Sequence, residues 1–157
     1  MVIAAQVFFA WLYWHFIEYL VHKYILHNRK KFKKIFKRHF GTHHNVSRKN
    51  NMYDSNYLRF FRNDSFFELA GLSLLLISHS PLLLYFPYAY FTLLFSAIAY
   101  YVVHRKSHID VDWGKRWLPW HASHHMGKNQ HMNWGVRLPI FDIIFGTHKL
   151  DSGVKNE

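Results

Sequence analysis

Apolar and polar positions divide this chain into two greasy stretches with polar, basic ground between and after them. Residues 2–21 are apolar and aromatic almost throughout. At 1.5 Å per residue such a helix can cross a hydrocarbon core of about 30 Å, and it is expected to run on to about residue 26. No basic segment precedes it and no small-residue cleavage pattern follows, so it reads as a membrane anchor, not a signal peptide. His15, Glu18 and His22 follow spacings of three and four within it, which puts the three polar groups on one helix face. From Phe66 to Val103 the chain is again nearly continuously apolar, with Pro81 and Pro87 near the middle. The prolines predict a turn there and two helices, about 66–84 and 88–104, as a hairpin. Glu68 and His79 interrupt the first of the two, so a re-entrant or half-buried hairpin is the competing description.

The polar ground is not uniform. Seven Lys or Arg lie between Arg29 and Arg38, with Phe32, Ile35, Phe36 and Phe40 at helical offsets among them. A basic helix with an apolar stripe predicts contact with an anionic membrane surface. The same run could be read as a nucleic-acid patch, but it follows a membrane segment and sits between histidine clusters, so no nucleic-acid partner is expected. Residues 45–64 are rich in Asn and Asp and read as a surface loop. Asp110 and Asp112 sit in a Trp-rich stretch and read as turn residues. An apolar run towards the end predicts a short helix, and residues 151–157 a frayed tail.

Composition sharpens this picture. Half of the 157 residues are apolar and a fifth aromatic, yet the formal net charge is +11. Such a mixture suggests greasy and basic parts kept separate, as in a membrane protein, better than one soluble core. The length predicts a single domain, 1–157. There is no cysteine, which excludes disulfides and thiolate metal sites.

Histidine carries the candidate chemistry. Four clusters occur at 22–27, 39–44, 104–108 and 121–125, and they contribute His22, His27, His39, His43, His44, His104, His108, His121, His124 and His125, ten of the fourteen histidines. Imidazole suits iron, zinc, copper or nickel, and nitrogen without thiolate fits iron or zinc well. Ten ligands exceed what one ion accepts, so two metal ions are the natural count. In HASHH, helical offsets put His121, His124 and His125 on one face, aimed at one point. His22 and His27 are five apart, about 140° around a regular helix, and share a face only if the helix ends or distorts near Leu26. Glu18 is the candidate to accept a hydrogen bond from a ligating imidazole. His131 and His148 have no partner at helical spacing and are left out.

Topology ties the clusters together. The basic excess after the first helix assigns that side to the cytoplasm, and a returning hairpin brings His104 and everything after it back to the same face. The expected fold is therefore an all-α integral membrane helical bundle with a histidine-rich di-metal cap on its cytoplasmic face.

HKYILH, HFGTHH, HRKSH and HASHH in that order, followed by NWGVRLPIFDIIFGT, resemble the fatty acid hydroxylase and sterol desaturase superfamily over about His22 to Thr147. The resemblance implies a helical membrane scaffold around a di-iron centre that uses dioxygen and two external electrons to hydroxylate or desaturate a lipid, with the ten histidines as ligands. It also implies a lipid substrate from the bilayer and a separate electron donor of the cytochrome b5, ferredoxin or reductase type, since no fused electron-carrier domain is expected. Iron is the expected metal, with zinc as the alternative occupant in a purified form. Small carotenoid ring hydroxylases are similar in length and in the HKY start, but the three-residue gaps in the second and third clusters depart from their pattern, so a fatty acyl or sterol-like lipid is expected. The alternative function is a membrane protein that binds zinc through the same histidines without turnover.

Overall fold

The computed structural model of the protein describes residues 1–61 and 63–151. All regular structure among these residues is helical, in agreement with the all-α expectation. The long elements are α1 (Val2–Val21), α4 (Asn63–Ser78) and α6 (Pro87–Ile109). The short ones are α2 (Lys33–Phe36), α3 (Asn45–Lys49), α5 (Leu82–Tyr85), α7 (Val111–Trp117), α8 (Pro119–Met126) and α9 (Ile140–Ile144). Two segments, His22–Leu26 and Lys37–His44, are wound as π-helix. The expected tail, apart from Asp151, lies outside the described residues.

α1 packs along α6, and their seam is the apolar core: Ala10 and Trp14 against Leu93 and Ala97, with Leu72, Leu75 and Leu76 of α4 closing it. Both α1 and α6 end in histidines, so the pair delivers two clusters to the same end of the molecule. α4 runs the other way and stops at Ser78. Pro81 disfavours helical geometry in the residue before it, and the Ser78 hydroxyl donates to the Leu75 carbonyl at 2.7 Å. The hairpin therefore turns earlier than the prolines alone suggest. Pro87 occupies the first turn of α6, where its missing N–H costs nothing, and α6 then runs five residues past the expected 104.

None of the helices among the described residues is long and apolar enough to cross a membrane. The three expected spans, 2–26, 66–84 and 88–104, are thus not met by these helices. Gln6, His15 and Glu18 interrupt α1. Sixteen residues give α4 a length of only about 24 Å, and the last turns of α6 carry His104, Arg105, Lys106 and His108.

The region after α6 folds back on it tightly. Asp110 caps α7 by accepting from the Trp113 N–H at 3.2 Å and pairs with Lys106 at 2.7 Å, so it serves a turn as expected. A Cβ on Gly114 would stand 2.6 Å from the Ser107 carbonyl oxygen, a backbone atom that cannot step aside. Gly114→Ala is expected to destabilise the protein by about 1–3 kcal/mol, as overpacking does. A thermal melt unchanged from the parent would contradict this close approach of α7 to α6.

Candidate metal centre

The ten clustered histidines gather at one end of the α1/α6 pair, and all but His39 are buried. They form two groups. Ring nitrogens of His22, His27, His39, His44 and His124 lie within 4.8 Å of one another, and those of His43, His104, His108 and His125 do likewise. His121 joins the second group, its Nε2 3.2 Å from His108 Nε2 and its ring 4.6 Å from that of His125. The groups abut where the His44 and His125 rings stack at 4.2 Å.

Local winding decides the allocation. In a π-turn the backbone bonds run from residue i to i+5, so residues five apart come to one side. The His27 N–H bonds the His22 carbonyl at 3.1 Å, and the two rings lie 5.1 Å apart. This is the distortion near Leu26 that the five-residue spacing required. The second π-segment does the same for His39 and His44, whose Nε2 atoms are 3.3 Å apart, and turns His43 into the other group. α6 is regular, and its four-residue spacing sends His104 and His108 the same way. HASHH departs from the expectation. Its three rings do not converge on one point: His121 and His125, four apart, join the second group, and His124 faces the first. A wedge between two sites needs ligands on both flanks.

The ring nitrogens have an inside and an outside. His22 Nδ1 donates to the Trp134 carbonyl at 2.6 Å, His124 Nδ1 to Met132 O at 2.7 Å, and His108 Nδ1 to Met52 O at 2.8 Å. A carbonyl only accepts, so these three rings carry their proton on Nδ1 and turn a lone pair on Nε2 to the interior. His43 Nδ1 meets Asp54 at 3.0 Å and His104 Nδ1 meets Glu68 at 2.8 Å, which sets the same tautomer. The Nε2 atoms of His43, His104 and His124, and both ring nitrogens of His27 and His125, are buried without a hydrogen-bond partner. His22 and His39 bring their Nε2 atoms within 3.0 Å of each other. Lone pairs crowded this closely in a dry interior fit a cation between them. Nitrogens about 2.1 Å from one ion lie at most about 4.2 Å apart, so groups spread over up to 4.8 Å would close in slightly around an ion. Burial and the neighbouring imidazoles push His39, His44, His121, His124 and His125 well below the ordinary histidine range, so the rings stay neutral and available to an ion.

Glu18 does not meet a ligating imidazole. Its Oε1 accepts from the backbone N–H groups of Val136 and Arg137, and its Oε2 stands 3.8 Å from His15. It tethers the loop whose Trp134 carbonyl holds His22. Asp142 tethers the same loop, accepting from the Trp134 N–H at 2.8 Å and the Gly135 N–H at 2.7 Å. Gly135 has to be small there: a Cβ would fall 2.3 Å from the Leu138 carbonyl oxygen. The acids that do touch imidazoles, Asp54 and Glu68, lie outside the histidine motifs. Asp54 sits in the Asn-rich loop, where nothing in the spacing marks it. Glu68 carried a signal, since a lone carboxylate in an apolar helix needs a partner inside the protein. Burial alone would raise the Asp54 carboxyl, but hydrogen bonds from His43 and the Asn56 N–H hold it below its ordinary value. His131 lies on the rim of the first group, its ring 6.1 Å from His27, and is exposed.

Two aromatic side chains close the groups from the sides. Trp134 packs on His27 at 4.8 Å and His124 at 5.5 Å, and Tyr57 lies 5.3 Å from His104 and 5.4 Å from His43 and from His108. No curated protein and no solved structure matches the chain. A family model, described as fatty acid hydroxylase, matches residues 7–147 and so takes in all four histidine clusters, the tethered loop and α9. The chain belongs to the fatty acid hydroxylase family, within the fatty acid hydroxylase and sterol desaturase superfamily.

Proposed function

We propose that this protein is a membrane-bound di-iron oxygenase that hydroxylates or desaturates a fatty acyl or sterol-like lipid, with dioxygen and two electrons from a separate donor. The observation that carries the reading is the pair of abutting histidine groups, five rings in one and four in the other with His121 beside them, each with buried Nε2 atoms that have no hydrogen-bond partner. His22, His27, His39, His44 and His124 would hold one ion, and His43, His104, His108, His121 and His125 the other. When bound, the iron pair supplies the reduction of dioxygen and the removal of hydrogen from an unactivated C–H bond.

The rest falls to the chain's own side chains. The carbonyls of Trp134, Met132 and Met52, with Asp54 and Glu68, fix the tautomer and tilt of the rings they touch. Trp134 and Tyr57 keep water off the two groups, which protects a reactive site from side reactions. Apolar side chains stay exposed on the long helices, among them Phe8 and Phe9 of α1, Leu74 and Ile77 of α4, and Phe95 and Ile98 of α6. Such a surface is too greasy for water alone and supports seating in a bilayer by a half-buried set of helices, from which an alkyl chain can approach. Phe32 and Ile35 are exposed within the basic run, which supports contact with anionic headgroups and a cytoplasmic position for the metal end.

The test uses the full chain in detergent, reconstituted with ferrous iron and given reductant and extracted lipid. Oxygen uptake and a lipid that gains one oxygen or loses two hydrogens are expected. His124→Ala should lower both by more than the roughly 10- to 100-fold that changes around a metal ligand produce. A protein that binds zinc and takes up no oxygen after iron reconstitution would overturn the reading in favour of a zinc-stabilised membrane protein.

A further inference from the structure

The two groups lean on unlike partners. In the group of His43, His104, His108, His121 and His125, two rings give their Nδ1 hydrogens to carboxylates, His43 to Asp54 and His104 to Glu68. Both acids are held in place. Asp54 is fully buried, its Oδ1 accepts from the Asn56 N–H at 3.0 Å, and its own N–H donates to the His108 carbonyl at 3.0 Å. Glu68 Oε2 accepts from the Tyr57 hydroxyl at 2.7 Å.

In the other group no imidazole is hydrogen-bonded to a carboxylate among the described residues. His22 and His124 rest on neutral carbonyls, and His44 Nδ1 faces the Gln130 amide nitrogen at 3.3 Å. Asp142 reaches this group through the backbone. It accepts the Gly135 N–H, which belongs to the same peptide unit as the Trp134 carbonyl that takes the His22 proton. That peptide passes on a weakened share of the negative charge.

The electrostatic consequence follows directly. A divalent ion among five neutral imidazoles leaves two positive charges in a dry interior, and burying uncompensated charge is costly. Two carboxylates nearly cancel that charge and also make the imidazoles they touch better donors. Arg48 adds nothing to the balance of the first group alone, since it donates to the carbonyls of His125 and Gly127 at the junction between the two.

We propose that the two groups load unequally: the carboxylate-backed group takes its divalent ion first and keeps it, and the group of His22, His27, His39, His44 and His124 is the exchangeable one, held in register by Asp142 through the 134–135 peptide. This inference rests on the metal-centre reading above. It makes a one-ion form an intermediate of assembly, with the ion beside Asp54 and Glu68.

The experiment loads the full chain in detergent with cobalt(II), removes metal stepwise with a chelator, and follows the ions by elemental analysis and by visible absorption. Two steps are expected, separated by roughly 10- to 100-fold in chelator concentration. His27→Ala should abolish the early step and leave the late one. Glu68→Gln, which keeps the side chain's shape, should move the late step towards the early one. Asp142→Asn should bring the early step still earlier. Two ions that leave the parent protein in a single step would overturn the proposal, as would a His27→Ala protein that keeps the early step and loses the late one. A parent protein that binds no cobalt, iron or zinc defeats the metal-centre reading itself, a result distinct from two equivalent ions.

Discussion

A chelator that strips both ions is expected to cost the protein its fold as well as its chemistry. The Nε2 atoms of His27, His43, His104, His124 and His125 are buried with no hydrogen-bond partner in the protein. Each unsatisfied buried polar group costs about 1–3 kcal/mol, so five of them together cost on the order of 5–15 kcal/mol. A domain's whole stability is about 5–15 kcal/mol. The histidine end is therefore expected to loosen when nothing occupies those nitrogens, and ions held by several imidazoles would satisfy them together. At about 2–4 °C per kcal/mol for a chain of this size, the melting midpoint should fall by more than about 10 °C on metal removal. Re-addition of ferrous iron or zinc should restore it. Melting curves by circular dichroism that coincide with and without chelator would show that the buried nitrogens are satisfied some other way.

Acid should weaken the same end of the molecule. Burial and the neighbouring imidazoles hold His39, His44, His121, His124 and His125 well below 6.5 in the folded protein. In the unfolded chain the same rings titrate near 6.5. Below that pH the unfolded state binds more protons, so stability falls as pH falls; above it these groups contribute in full. Each ring that takes up its proton only in the unfolded chain steepens this loss, so several of them together make the fall sharper than one histidine would. Bound ions act in the same direction, because protons compete for the lone pairs that ligate them. Chemical denaturation and metal content measured from pH 7.5 to 5 should therefore show a steep loss that begins near 6.5. A flat profile down to pH 5 would mean that these rings are open to water or already charged.

Much of the centre was legible in the sequence because its geometry is local. His104 and His108 share a face of any regular helix, and their pairing needed nothing beyond the four-residue spacing. The five-residue gap between His22 and His27 already demanded a distorted turn, which the π-winding of His22–Leu26 supplies. Two ligand groups were expected from ligand arithmetic, and the gathering of four clusters at one end from the hairpin. The division of HFGTHH and HASHH between the two groups was not legible. His43 and His44 are neighbours in the chain and belong to different groups, and the same holds for His124 and His125. Periodicity says which residues share a face. It does not say how many partners stand opposite that face.

What the sequence by itself determined is the set of imidazoles and the absence of thiols, together with helical segments that bring the histidines to one end. Spacing and composition act within a few turns of chain, and those properties are settled there. Only the tertiary structure decided which ring joins which group, that Asp54 and Glu68 rather than Glu18 touch the imidazoles, and that Glu18 and Asp142 tether the loop behind His22. It also decided that none of the described helices is long and apolar enough to cross a bilayer. These outcomes depend on contacts between residues far apart in the chain, Glu18 with Val136 or Glu68 with His104, and no local pattern records a partner that folding brings from so far away.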